Sequence, residues 1–220
     1  LAPRILAANE GISVPGGHMA GSVAVAAHNN AEALAQLEKA SAQKVDLVKL
    51  MITGGVLDAT EKGTPGEMKM PPEMIKAVCD AAHKLGYTVA AHTESPAGVK
   101  AALENGVDSI EHGAYLTDET LCQLAESGAV WVSTLVTIGN LIGCGRFPDE
   151  VLTPLLAYQM NAVKKAAALG ARIACGSDAG AYRVLHAQGG LDEQALLRRT
   201  LGPTADQILT QGNTEIQKRF

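Results

Sequence analysis

Short apolar runs with strand character alternate with amphipathic stretches of helical period along most of this chain, and that alternation limits the available folds more than any other feature. Candidate strands fall at 3–8, 45–52, 87–93, 108–113, 130–136 and 172–176. Candidate helices fall at 31–44, 72–84, 96–104, 117–127, 151–169, 191–199 and 204–209. The boundaries carry local signals. Asn29 or Asn30 caps the first helix, Pro72 opens the second and Gly86 closes it, and Thr117-Asp118-Glu119-Thr120 has capping-box character. A Gly-rich stretch from 11 to 22 reads as a loop.

Six repeated strand–loop–helix units predict an α/β fold with a parallel sheet under helical cover. Apolar residues make up 47% and aromatics only 3%, so the core is expected to be aliphatic. No Gly-x-Gly-x-x-Gly turn follows any strand, which argues against an open dinucleotide-binding sheet. The 220 residues read as one domain, 1–220, somewhat short for a complete eightfold barrel of about 250 residues.

Composition excludes several classes of partner. The net charge is −5 and the Lys and Arg residues are scattered, so no nucleic-acid surface is expected. No apolar run approaches the roughly 18 residues of a membrane span. The start, Leu1-Ala2-Pro3-Arg4, has no signal pattern and reads as the interior of a longer chain. Cys79, Cys122, Cys144 and Cys175 form no Cys-x-x-Cys pair. They read as dispersed buried thiols of a reducing, cytoplasmic setting and not as zinc ligands.

Four strand-like runs end in side chains suited to chemistry: Lys49, His92, His112 and Asp178. In a parallel barrel the loops after the strands meet on one rim, so these four are expected to converge. Neutral imidazole and carboxylate are ligands for zinc and similar divalent ions. An ammonium has no lone pair, but burial at a strand end lowers the lysine pKa. Read alone, Lys49 could equally snorkel to the rim, and a core histidine or a turn-capping aspartate would account for the others.

The surrounding segments sharpen the choice. GGVLD follows Lys49, HTES surrounds His92, SIEHG surrounds His112 and GSDAG surrounds Asp178. PRILAANEGISVPGGH ends at His18, and GAYRVLHAQGGLDEQALL contains His186. Together, over residues 3 to about 209, these resemble the metal-dependent amidohydrolase superfamily. Within it they are similar to the imidazolonepropionase-like branch, which includes prolidase-type Xaa-Pro dipeptidases and carboxypeptidases of N-acyl amino acids.

The resemblance implies a (β/α)8 TIM barrel, here incomplete with about six units. It implies one or two divalent ions, zinc by precedent, held by Lys49, His92, His112 and Asp178. Lys49 would carry a CO2-derived carbamate, and Asp178 would move the catalytic proton. His18, Tyr115, Arg183 and His186 would bind a small substrate bearing a carboxylate. The implied reaction is hydrolysis of an amide bond in a dipeptide, an N-acyl amino acid or a cyclic amide by metal-activated hydroxide.

One departure stands out. The His-x-His pair and the two barrel strands that open the superfamily's pattern do not occur in these residues. The sheet is therefore expected to have two open edges. The chain is expected to be a fragment, a truncation that pairs with itself as a homo-oligomer or with another chain, or a degenerate barrel that binds a small carboxylate without turnover. Glu94 and Glu111 are expected to point away from their ligand neighbours by strand alternation, and His28, His83 and the Arg198-Arg199 pair to face solvent.

Overall fold

The computed structural model describes residues 4–56 and 59–220. All strands are parallel and belong to one sheet: β1 (Gly11–Ser13), β2 (Ala24–Ala26), β3 (Val48–Met51), β4 (Val89–Thr93), β5 (Ser109–His112), β6 (Val130–Val132) and β7 (Arg172–Ala174). Their order is β2-β1-β3-β4-β5-β6-β7. The helices are α1 (Asn30–Ala42), α2 (Pro72–Lys84), α3 (Pro96–Glu104), α4 (Asp118–Ser127), α5 (Leu135–Gly139), α6 (Asp149–Ala168), α7 (Gln188–Leu201) and α8 (Ala205–Arg219).

Local chemistry sets the helix starts. Asn29 Oδ1 accepts from the Glu32 amide over 3.0 Å at the head of α1. Ser95 Oγ accepts from the Gly98 amide over 3.1 Å before α3, and proline fills the first turn of both α2 and α3. Thr117 and Thr120 cap α4 reciprocally, and Gly128 closes it with φ 75°.

The strand count differs from the sequence expectation of six. Pro3 lies outside the described residues, and residues 4–8 form no strand. The first pairing strands are instead β1, inside the stretch read as a loop, and β2 just beyond it. Each has only three residues, too few for an alternating pattern to register. The run expected as a strand over 130–136 stops at Val132, because Thr134 takes a left-handed conformation and α5 follows.

Register sorts the side chains into two faces. Val48, Leu50, Ala91, Ile110, Trp131 and Ile173 point outward into the core beneath the helices. Inward, Lys49 is level with Ala90, Ser109, Val130 and Arg172, and Met51 is level with His92, Glu111, Val132 and Ala174. The sheet curls. Leu6 and Phe220, from opposite ends of the chain, line one cavity of about 430 Å³ with Ala90, Glu111 and Ala174, and Arg4 Nη2 donates to the Phe220 carbonyl over 3.2 Å.

The edge at β7 is not bare as expected. Helix α8 lies against it so closely that a Cβ on Gly212 would fall 1.9 Å from the Ile173 carbonyl oxygen. Asn213 Oδ1 accepts from the Cys175 amide over 2.9 Å, which satisfies a donor just past the strand end.

Two smaller expectations also change. His83 Nε2 sits 2.9 Å from Asp108 Oδ2 and ties α2 to the entry of β5 instead of facing only water. Arg198 and Arg199 are exposed as expected, with Arg198 in a surface pair with Asp206 over 2.9 Å. Of the four thiols Cys79 is buried, Cys144 and Cys175 are half-buried and Cys122 is exposed. Among the described residues, no helix is long and apolar enough to cross a membrane.

Candidate active site

The C-terminal ends of β3, β4 and β5 open onto a cavity of about 520 Å³ lined by Lys49, His92, Glu94, His112 and Asp178, with His18 and Tyr182 at its side. His92 is its centre. The His18 ring stacks on it at 4.0 Å with an interplanar angle of 6°, and the His112 ring meets it edge-on at 4.7 Å. Four of the predicted residues plus His18 therefore share one cavity. The other three predicted residues do not line it. Tyr115 is half-buried beside Glu94, and Arg183 and His186 are exposed in the segment after Asp178.

Two rim residues sit in left-handed backbone conformations, His112 at φ 72° and Asp178 at φ 56°. Such conformations cost free energy in non-glycine residues and persist where surrounding contacts enforce them. At His112 those contacts are visible. Its carbonyl accepts from Trp131 Nε1 over 2.9 Å and from Gln159 Nε2 over 3.3 Å, and its ring Nδ1 lies 2.8 Å from Thr134 Oγ1.

Two carboxylates beside these ligands differ in outcome. Strand alternation from Ser109 makes Glu111 an inward residue, held by Ser109 Oγ over 2.6 Å. The positive φ at His112 then lets that next residue reach the active-site cavity. Glu94 follows the end of β4, is buried, lines the cavity and accepts from the Ala114 amide over 2.8 Å. Glu94 thus faces the site against expectation, whereas Glu111 lines the 430 Å³ cavity with Ala90 and Ala174. No periodic signal could have revealed the Glu94 placement, because it depends on how β4 ends.

Burial dominates the electrostatics. It lowers the Lys49 pKa, against the opposing pull of Glu111 and Asp178. Burial and the neighbouring His112, His18 and Lys49 charges hold His92 well below the usual imidazole range. The His112 imidazole is held down at about 3, mainly by burial and then by Lys49 and His18. Burial pushes Glu94 up to about 8, raises Glu111, and drives Tyr115 up to about 12 with help from Glu94.

These features fit a divalent ion in donor chemistry. Both imidazoles are neutral at pH 7, as ligation requires. Among the described residues, the buried Nε2 of His92 has no hydrogen-bond partner. The set is partial, because among the described residues no three His, Cys, Asp or Glu side chains come together as a complete ion-binding group.

Comparison with known proteins agrees with this architecture. The model of the amidohydrolase family matches residues 2–212. An uncharacterized protein of Mycobacterium tuberculosis is 34% identical over 143 residues, covering 62% of this chain and 38% of its own length. Ochratoxinase of Aspergillus niger is 28% identical over 137 residues, covering 60% of this chain and 28% of that enzyme. The chain therefore matches well under half of the length of these curated relatives.

Among solved structures, the A. niger ochratoxinase crystal structure superposes over 100% of this chain and 55% of its own with a TM-score of 0.84 at 20% identity. A Xaa-Pro dipeptidase with methionine bound in its active site superposes over 100% of this chain and 58% of its own, with a TM-score of 0.80 at 28% identity. A prolidase-like protein from Bifidobacterium longum superposes over 90% of this chain and 51% of its own, with a TM-score of 0.75 at 26% identity. The fold is an incomplete (β/α)8 TIM barrel of amidohydrolase type. By its sequence and its fold, this chain belongs to the amidohydrolase family, on the side of its prolidase-like members.

Proposed function

We propose that this chain supplies the metal-binding and proton-transfer rim of a metal-dependent hydrolase that cleaves the amide C–N bond of a small substrate, such as a dipeptide, an N-acyl amino acid or a cyclic amide. One observation carries the reading. A buried, neutral His92 with an unpartnered Nε2 lines the same cavity as His112, Lys49 and Asp178. A histidine buried only for packing would satisfy that nitrogen within the protein. The likeness to an Xaa-Pro dipeptidase and to ochratoxinase supports the substrate class.

His92, His112 and Asp178 would hold the ion, with zinc favoured by the two imidazoles. The lowered Lys49 amine would add to CO2 through its nitrogen, releasing one proton and giving a carbamate that ligates as a carboxylate. A divalent ion, when bound, supplies Lewis acidity to the scissile carbonyl and to the attacking water.

Asp178 takes the proton as the water oxygen bonds to the carbonyl carbon. The C–N bond then breaks with its electron pair on nitrogen, and Asp178 returns the proton there. His18, stacked on His92 at the cavity wall, and Tyr115, beside Glu94 but outside the cavity lining, would contact the substrate. Arg183 and His186 follow Asp178 on an exposed segment and would meet a substrate carboxylate from the solvent side. The free cysteines support a reducing, cytoplasmic setting.

The test is metal content per chain together with hydrolysis of a panel of Xaa-Pro dipeptides and N-acyl amino acids, with zinc and bicarbonate present. Bound zinc with turnover that disappears in Lys49→Ala and Asp178→Ala is expected. Turnover that survives both substitutions, or tight substrate binding with no zinc and no turnover, would overturn the reading.

A further inference from the structure

Glu193 on α7 is fully buried, at 0% exposure, yet it lines neither cavity described above. Among the described residues no Lys or Arg is paired with it. Its carboxylate reaches to the end of β6 instead. Oε2 accepts from the Val136 amide over 2.8 Å, Oε1 accepts from Ser133 Oγ over 3.3 Å, and the Leu135 amide is a further donor. A carboxylate suits three donors because it only accepts.

Those donors surround Thr134, a β-branched residue held at φ 47° and ψ 44°. Gln159 of α6 grips the same turn through its Nε2, which donates to the Ser133 carbonyl over 2.7 Å. Thr134 Oγ1, the outcome of this arrangement, lies 2.8 Å from Nδ1 of His112.

We propose that Glu193 is a positioning residue for His112. By fixing the Ser133–Val136 turn it presents the Thr134 hydroxyl to Nδ1–H of the imidazole, so that His112 is held as a single tautomer with the Nε2 lone pair directed to the cavity. The inference rests on the reading of His112 as a metal ligand. Glu193 touches neither the ring nor the cavity and acts only through Thr134. A hydrogen bond of this kind fixes ring orientation and tautomer and raises ligand basicity.

The experiment uses the metal-free 220-residue chain at pH 8, with imidazole 15N NMR to read the His112 tautomer and a zinc titration against a competing chelator. The native chain is expected to show one His112 tautomer with the proton on Nδ1. Thr134→Val and Glu193→Gln are both expected to give a tautomer mixture and, where zinc binds, a roughly 10- to 100-fold weaker affinity. If Glu193→Gln does not fold, Ser133→Ala removes a single donor and carries the same test.

An unchanged tautomer and unchanged zinc affinity in Glu193→Gln or Ser133→Ala, with only the melting temperature lowered, would overturn the proposal. So would the Nε2–H tautomer in the native chain. Failure of the native chain to bind zinc would count against the proposed function, whereas the NMR readout in the metal-free chain still decides the role of Glu193.

Discussion

The indole Nε1 of Trp131 donates to the carbonyl oxygen of His112 over 2.9 Å, from a ring with no solvent exposure. A large core side chain thus has two tasks: it fills the layer between β6 and the helices, and it holds a rim histidine in its left-handed conformation.

Trp131→Phe separates these tasks. The substitution leaves a void and removes the indole donor, so stability should fall by roughly 2–4 kcal/mol. The His112 carbonyl would retain only the longer 3.3 Å bond from Gln159. Chemical denaturation measures the first effect. The second appears as weaker zinc binding beyond what destabilised core variants far from the rim show.

His92→Ala removes the side chain whose Nε2 is buried without a partner. Zinc affinity should fall by more than the roughly 10- to 100-fold that loss of an outer partner costs. Burial of an unpartnered polar nitrogen is unfavourable in the metal-free chain, so the same substitution should cost that form little stability. A chelator competition and a melting curve on one preparation give both numbers.

Glu193 sets a pH dependence. Burial pushes its carboxyl up to about 7, opposed by the bonds from Val136, Leu135 and Ser133, whereas an unfolded glutamate titrates near roughly 4.3. Between those values the folded chain holds a proton that the unfolded chain has released. Stability from this group is therefore complete below about pH 4.3, declines as pH rises toward about 7, and is flat above. The total is on the order of 3 kcal/mol. Urea midpoints from pH 4 to 8 for the native chain and Glu193→Gln should differ in slope over this window, with the flatter curve belonging to the variant.

Gly212→Ala tests the seam at β7. In an exposed helix this change stabilises by up to about 1 kcal/mol. Here the new methyl would meet the Ile173 carbonyl oxygen at 1.9 Å, so α8 must move away from the strand. Destabilisation of roughly 1–3 kcal/mol is expected, together with faster exchange of the Cys175 amide that Asn213 holds. Thermal denaturation and hydrogen exchange check the two parts.

Much of the architecture was legible because its signals are local. Pro72, Pro96, Ser95 and the Thr117–Thr120 pair mark helix starts through contacts within one turn, and the helices start where those residues stand. Strands β1 and β2 escaped because three residues are too short for a period, while the longer apolar run beside them imitated a strand without pairing. The run through Leu135 and Val136 carries β-branched character, yet Thr134 turns the chain and Glu193, distant in sequence, holds that turn.

The candidate site divides along the same line. Lys49, His92, His112 and Asp178 are marked by strand ends and reach one cavity. Glu94 and Thr134 became visible only once the strand ends and the backbone angles at the rim were known.

Gly54, just past β3, and Gly66, in the loop that returns to α2, meet backbone to backbone: a Cβ on Gly66 would fall 2.2 Å from the Gly54 carbonyl carbon. The loop is thereby pinned at its neck beside a second cavity, of about 440 Å³, that His18 also borders and that Thr60, Glu61 and Thr64 along the span line. Substitutions along the span leave this contact in place, because the two glycines alone form the clasp. Sequence change along the span can therefore accumulate without disturbing the strand end that carries Lys49.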